Sequence, residues 1–146
     1  MLPGESTTWS GLVRVTNDVI VPSGHVLTIV PGTWVLFAGV ASGTNGADLQ
    51  VNGEIRSQGM LEAPVVMTCA SAGLRWGQIR HAGAQPSVYD HTIITLGGRA
   101  RGEGHTGQDP VVRSSNSRLT FNGCSITDQA TPAGTPGKIM QASGSD

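Results

Sequence analysis

The sequence predicts an all-β chain folded as a right-handed parallel β-helix (solenoid) of about five to six coils, with three short strands per coil. Three observations carry that expectation. Charged residues make up 13% of the 146 and aromatics 4%, while glycine alone supplies 21, so the Glu/Lys/Leu-rich composition of amphipathic helices is missing. Apolar runs of four to six residues, rich in Val, Ile, Leu and Thr, alternate with Gly, Pro, Asn, Asp and Ser, which is how short strands and turns are written. The runs also recur: Leu12 to Trp34 is 22 residues, and Val26 to Leu49, Val65 to Val88 and Val88 to Val111 are each 23. A fixed period is the mark of a repeat architecture.

The strand candidates, in order, are Leu12–Val15, Val19–Val21, Val26–Val30, Trp34–Phe37, Leu49–Val51, Val65–Thr68, Gln78–Arg80, Val88–Thr95, Val111–Arg113, Leu119–Phe121, Ser125–Thr127 and Lys138–Met140. Starts at Leu12, Val19, Val26 and Trp34 step by seven or eight residues, which places three strands in each coil. Successive coils would then stack their strands in parallel at about 4.8 Å, with aliphatic side chains filling the interior. Gly39–Asp48 and Gly97–Pro110 break the period and read as loops bulging from the coil. With 38% hydrophobic residues the chain reads as one domain over residues 1–146. Residues 1–10 are expected to cap the first coil, with Leu2 and Trp9 as the apolar contribution. Residues 129–146 read as an irregular tail or last partial coil, carrying Ile139 and Met140. Open strand edges at a coil end need cover, and a second copy of the chain is the expected cover, giving a homo-oligomer.

Composition narrows the partners. The net charge is −1 and the nine basic residues are scattered except for Arg99 and Arg101, so no stripe matches a run of phosphates and nucleic acid is not expected. No apolar stretch approaches the roughly 20 residues of a membrane span. The first residues, Met1-Leu2-Pro3-Gly4-Glu5, lack the charged and apolar regions of a secretory signal. Cys69 and Cys124 lie 55 residues apart without a CxxC spacing, and read as small apolar core residues rather than as a zinc pair.

Candidate chemistry concentrates in one place. The glycine-rich loop from Gly97 to Asp109 gathers Arg99, Arg101, Glu103, His105 and Asp109, and these five are the expected ligand-binding residues, because recognition groups sit on loops held by a rigid scaffold. No metal, cofactor or catalytic residue is assigned: Asp48, Asp90, Asp109 and Asp128 are dispersed. Asp90 and His91, with His81 one strand earlier, suggest a base pair, but neighbours on a strand face opposite sides. Asn17-Asp18, Asn45-Gly46, Asn52-Gly53 and Asn122-Gly123 read as turn formers. Trp9, Trp34 and Trp76 read first as core or end-covering residues, with stacking on sugar rings as the alternative. Thr92 and Thr95 are three apart, so no regular ice-binding threonine ladder is written.

The ordered segments Val21-Pro22-Ser23-Gly24, Leu27-Thr28-Ile29-Val30-Pro31-Gly32-Thr33 with Val35 and Phe37, Leu49-Gln50-Val51-Asn52-Gly53-Glu54-Ile55 and Pro64-Val65-Val66-Met67-Thr68 resemble the opening coils of the pectate-lyase-like β-helix superfamily. The resemblance continues through Trp76-Gly77-Gln78-Ile79 and His91-Thr92-Ile93-Ile94 to Leu119–Thr127, covering roughly residues 9 to 128. It implies the solenoid fold and an extracellular or cell-surface setting. Activity does not follow, since lyases, hydrolases, epimerases, adhesins and phage tail parts share the scaffold. Neither the clustered aspartates of polygalacturonases nor the calcium-holding acids of pectate lyases are present. The expected function is a non-catalytic module, structural or carbohydrate-interacting, that self-associates through its open end. The alternative is a polysaccharide lyase or glycosidase-like protein, either complete or a fragment lacking its active-site coils.

Overall fold

A computed structural model describes residues 5–43, 46–99, 110–127 and 140–144, and among them every regular element is a strand. The first layer holds β1 (Ser6–Trp9), β2 (Leu12–Val15) and β3 (Val19–Val21). The second holds β4 (Val26–Ile29), β5 (Trp34–Phe37) and β6 (Leu49–Val51), and the third β7 (Glu54–Gln58), β8 (Val65–Cys69) and β9 (Ile79–Ala82). Below them lie β10 (Ser87–Asp90), β11 (Thr92–Thr95) and β12 (Val112–Ser115), then β13 (Leu119–Asn122), β14 (Ser125–Thr127) and β15 (Met140–Ser143). Every third strand joins the same sheet, giving the orders β1-β4-β7-β10-β13, β2-β5-β8-β11-β14 and β3-β6-β9-β12-β15. All pairs are parallel, for example Trp9 beside Ile29, Val35 beside Met67 and Ile79 beside Val112. The chain is therefore a parallel β-solenoid with three strands per coil. No helix among the described residues is long and apolar enough to cross a membrane.

The number of coils differs from expectation. From β1 to β10 the chain closes about three full turns rather than five to six; beyond β10, the connections from β11 to β12 and from β14 to β15 run through residues 100–109 and 128–139, outside the described residues. The physical reason is the length of the corners. Ser6 pairs with Val26 after 20 residues and Leu12 with Trp34 after 22, but Val26 pairs with Glu54 after 28, Trp34 with Val66 after 32 and Ile79 with Val112 after 33. Of the four spacings near 23, only Leu12 to Trp34 joins stacked partners; Val26 and Leu49, for instance, belong to different sheets.

Alternation explains why these residues make strands. Leu27 and Ile29 of β4, Val35 and Phe37 of β5 and Leu49 and Val51 of β6 turn inward and are buried, while the residues between them face out. Register then stacks inward residues into columns. One runs Trp9, Ile29, Ser57, Tyr89, Phe121; a second Val13, Val35, Met67, Ile94, Ile126; a third Val19, Leu49, Ile79, Val112, Met140. Bends between columns are made by turns such as Pro22–His25, where Gly24 has φ 80° and the His25 amide donates to the Pro22 carbonyl at 3.0 Å. The run Val88–Thr95, expected as one strand, is two, broken at His91 with φ 38°. Within the expected N-terminal cap, Ser6–Trp9 is itself a strand of the first sheet, and within the expected tail Met140–Ser143 pairs with β12.

Layers approach so closely at one corner that only glycine fits. A Cβ on Gly53 would collide with the carbonyl oxygens of Pro22 and His25 in the layer above, and backbone has no flexible end to yield. Gly53→Ala is expected to lower stability by about 1–3 kcal/mol, read by thermal or denaturant unfolding, whereas Leu61→Ser at a position 79% exposed is expected to stay within about 0.5 kcal/mol.

Candidate functional site

Corners of three layers meet between the second and third sheets. Here Val40 and Arg75 form an antiparallel bridge, the Gly77 amide donates to the Ala47 carbonyl at 3.0 Å, and the Trp76 amide to the Leu96 carbonyl at 3.0 Å. Trp76 is fully buried at the centre, stacked on Phe37 with ring centroids 4.2 Å apart, and its indole N–H donates to the Thr95 carbonyl at 2.7 Å. Arg99 is held in this cluster by its backbone: its amide donates to the Trp76 carbonyl at 2.9 Å and its carbonyl accepts from Gly46 at 3.0 Å. Its side-chain Nε is buried and has no hydrogen-bond partner among the described residues. Arg101, Glu103, His105 and Asp109, the other expected ligand-binding residues, lie outside the described residues.

Asp18 and Asp48 serve the backbone. Asp18 Oδ1 accepts the Asp48 amide at 3.0 Å, and Asp48 Oδ1 in turn accepts the Gln78 amide at 3.0 Å, so the corner leading into the third sheet carries a stepped relay of carboxylates. Asp90 accepts from the Asn122 amide side chain at 2.7 Å, and His91 occupies the bend rather than a strand face. No group of three or more His, Cys, Asp or Glu able to hold a metal occurs among the described residues. Cys69 and Cys124 are both free thiols.

His81, read from the sequence beside Asp90 and His91, points into the core instead. It is fully buried on β9, and its Nε2 lies 2.8 Å from the hydroxyl of Tyr89, itself fully buried. Nδ1 has no hydrogen-bond partner among the described residues. Burial lowers the His81 pKa from 6.5 to about 4 and, with a smaller contribution from Cys124, raises that of Tyr89 well above the ordinary phenol range. The imidazole is thus neutral at pH 7.

Register that aligns the core also aligns the outside. On the second sheet Leu12, Trp34, Val66 and Ile93 are aligned on the outer side, with Leu12 61% and Trp34 51% exposed and Val66 buried. Of the three tryptophans, Trp76 fits the core reading and Trp34 does not, because its strand points it at solvent. On the third sheet the outward row reads Ile20, Gln50, Arg80, Arg113, Gln141. Sequence reasoning passed over Arg80 and Arg113; the available signal was the matched pair Ile79-Arg80 and Val112-Arg113, each an inward aliphatic followed by an outward arginine.

Compared with protein-family models, curated proteins and solved structures, the chain matches none of them. The structure shows a parallel β-solenoid, and no match assigns the chain to the pectate-lyase-like superfamily.

The buried imidazole makes acid stability predictable. In the unfolded chain the histidine takes up a proton near pH 6.5, in the folded chain only near 4, so the unfolded state binds more protons between these values. Its contribution is complete above about pH 6.5 and is lost as the pH falls toward 4, on the order of 3 kcal/mol in all. Denaturant unfolding from pH 7 to 4 is expected to show this acid limb, and His81→Gln to flatten it; an unchanged slope in the variant refutes the assignment.

Proposed function

We propose that the chain is a non-catalytic β-solenoid module that interacts with carbohydrate. The observation that carries this reading is the half-exposed Trp34 beside the exposed Leu12 on the outer face of the second sheet. An indole on a sheet whose inner side chains pack in columns has its backbone fixed before any ligand arrives, so less order remains to be imposed on binding. Sugar rings present apolar faces that lie against indole, and a polysaccharide repeats such faces along a line. The superfamily resemblance supports the same reading and a secreted or cell-surface setting. The dispersal of Asp18, Asp48 and Asp90, two of them accepting backbone amides, favours binding over catalysis.

Self-association is the second part of the reading, supported by partly exposed Leu119, Phe121, Ile126 and Met140 in the last described layer. Light scattering is expected to give a mass of at least two chains; a monomer of 15.1 kDa overturns it.

Affinity electrophoresis through gels containing neutral or uronate polysaccharides, with and without calcium, tests the binding. Retardation by at least one polymer is expected, with Trp34→Ala weakening it about tenfold and no reducing ends or unsaturated products released. Product release would establish the lyase or glycosidase alternative, and absence of retardation on every polymer would reject the carbohydrate reading.

A further inference from the structure

The end layers of the solenoid differ from the inner ones in how well their inward columns are covered. Ile29, Val35 and Leu49 in the second layer, and Tyr89, Ile94 and Val112 in the fourth, are fully buried. Their column neighbours one layer further out stay partly exposed: Trp9, Val13 and Val19 at one end, Phe121, Ile126 and Met140 at the other. Beside Trp9, Val19 and Leu27 the first layer opens into a cavity of about 80 Å³.

The backbone is open at the same two places. The Val26 and Val30 amides of the second layer donate to the carbonyls of Glu5 and Trp9 at 3.0 and 3.1 Å, and alternation along a parallel strand turns the amides and carbonyls of Ser6 and Thr8 away from that layer. Leu12 and Arg14 are turned the same way, since the neighbouring Gly11 and Val15 carbonyls accept from Trp34 and Ala38. At the other end the Ser87 and His91 amides donate to the carbonyls of Arg118 and Asn122, which directs the backbone groups of Leu119 and Phe121 beyond the last layer. Among the described residues no sheet has a strand outside β1, β2 or β3, nor outside β13, β14 or β15. Residues 1–4, 128–139 and 145–146 are each shorter than the 20 residues of the shortest coil, from Ser6 to Val26, so none of them lays a further complete layer. The edges are also unguarded. Charge and proline keep strand edges apart, yet the six end strands hold Arg14 as their one charged residue and contain no proline.

We infer that the first layer of one chain receives the last layer of a second copy, strand on strand in parallel, so that the solenoid continues from chain to chain. Inside the molecule an inward residue of one layer bonds the outward residues flanking its partner in the next, as Trp9 bonds Val30 beside Ile29. The two ends carry the two halves of this junction: inward Leu119 and Phe121 on the last layer, outward Ser6 and Thr8 on the first. Stacking them sets Phe121 on Trp9, Ile126 on Val13 and Met140 on Val19, apolar on apolar in all three columns. Like ends facing each other would instead reverse strand direction and pair antiparallel, which none of the three sheets does. A head-to-tail contact leaves one end of each kind free however many copies join, so the product is an open filament. Each sheet has five strands per chain, giving an axial repeat of about 24 Å.

The contact rests on the self-association proposed above and specifies its two surfaces. Val13→Lys blocks the first layer and Ile126→Lys the last, because a lysine at a strand edge opposes pairing. Circular dichroism and melting temperature establish that each variant folds; where one does not, Thr8→Pro, which removes an amide turned away from β4, replaces the first and Met140→Lys the second. Wild type is expected to grow in mass with concentration by light scattering, and to form fibres with an axial repeat of about 24 Å by electron microscopy. Each variant alone is expected to remain a single chain of 15.1 kDa. An equimolar mixture of the two is expected to form pairs and stop there, since one intact first layer and one intact last layer remain. Wild type fixed at the mass of two chains, or pairs formed by Ile126→Lys alone, would place like ends together and overturn the head-to-tail contact while leaving self-association intact. A mixture that stays monomeric while wild type associates would do the same. Wild type monomeric at every concentration would overturn both.

Discussion

Layer-to-layer hydrogen bonding in parallel register is the constraint on which the rest of this structure depends. Consecutive strands go to different sheets, so no strand bonds to its neighbour in sequence; each amide finds its acceptor a full turn away. A slip of one residue in any strand would send its aliphatic residues to solvent and its polar ones to the core. The inward columns from Trp9 to Phe121 and from Val13 to Ile126 are what make the observed register the one that buries the most apolar surface. Insertions are accordingly confined to corners, where extra residues lengthen a turn without disturbing the strands that follow.

The core is not uniform down the axis. Its upper layers are mainly apolar, but Ser57, His81, Ser87, Thr92 and Ser114 take inward positions lower down and are buried. These polar groups find partners across sheets and corners: Ser57 with Thr92 at 2.7 Å, Ser87 with the Ile55 amide at 2.9 Å, His81 with Tyr89 at 2.8 Å. Each such bond adds about 1 kcal/mol net, and breaking one partner away leaves a buried group that costs more than that. The lower core therefore discriminates sharply between correct and shifted packing, where an all-aliphatic interior would tolerate sliding.

The same polar core explains which elements the sequence disclosed. Strands whose inward residues are aliphatic, such as Val26–Ile29, Trp34–Phe37 and Leu49–Val51, are legible from alternation alone, as are the Pro22–His25 and Pro31-Gly32 bends. Glu54–Gln58 is not, because Ser57 stands where an aliphatic residue would announce a strand, and Ser6–Trp9 fails for a similar reason, having Thr7 and Trp9 as its inward pair. The break between β10 and β11 falls at His91, a bend with neither glycine nor proline to mark it. Most of the 23-residue spacings joined strands of different sheets, yet the inference of stacked coils survived because any three-sided solenoid scatters apolar runs at a third of a turn. The candidate site was less legible: Arg99 is placed by backbone bonds to Trp76 and Gly46, while Arg80 and Arg113 sit 33 residues apart and become neighbours only once the corner lengths are known.

A solenoid's outer faces inherit the order of its core without sharing its chemistry. On the second sheet that inheritance yields an apolar row through Trp34, and on the third a polar row through Arg80 and Arg113. The two rows lie on different sheets, so they are separate surfaces of different chemistry. Contact with the indole row comes from apolar burial and changes little with salt, whereas attraction to two neighbouring guanidinium groups on a partly exposed face weakens as ions screen it. Salt sensitivity is thus a property of the face and not of the fold.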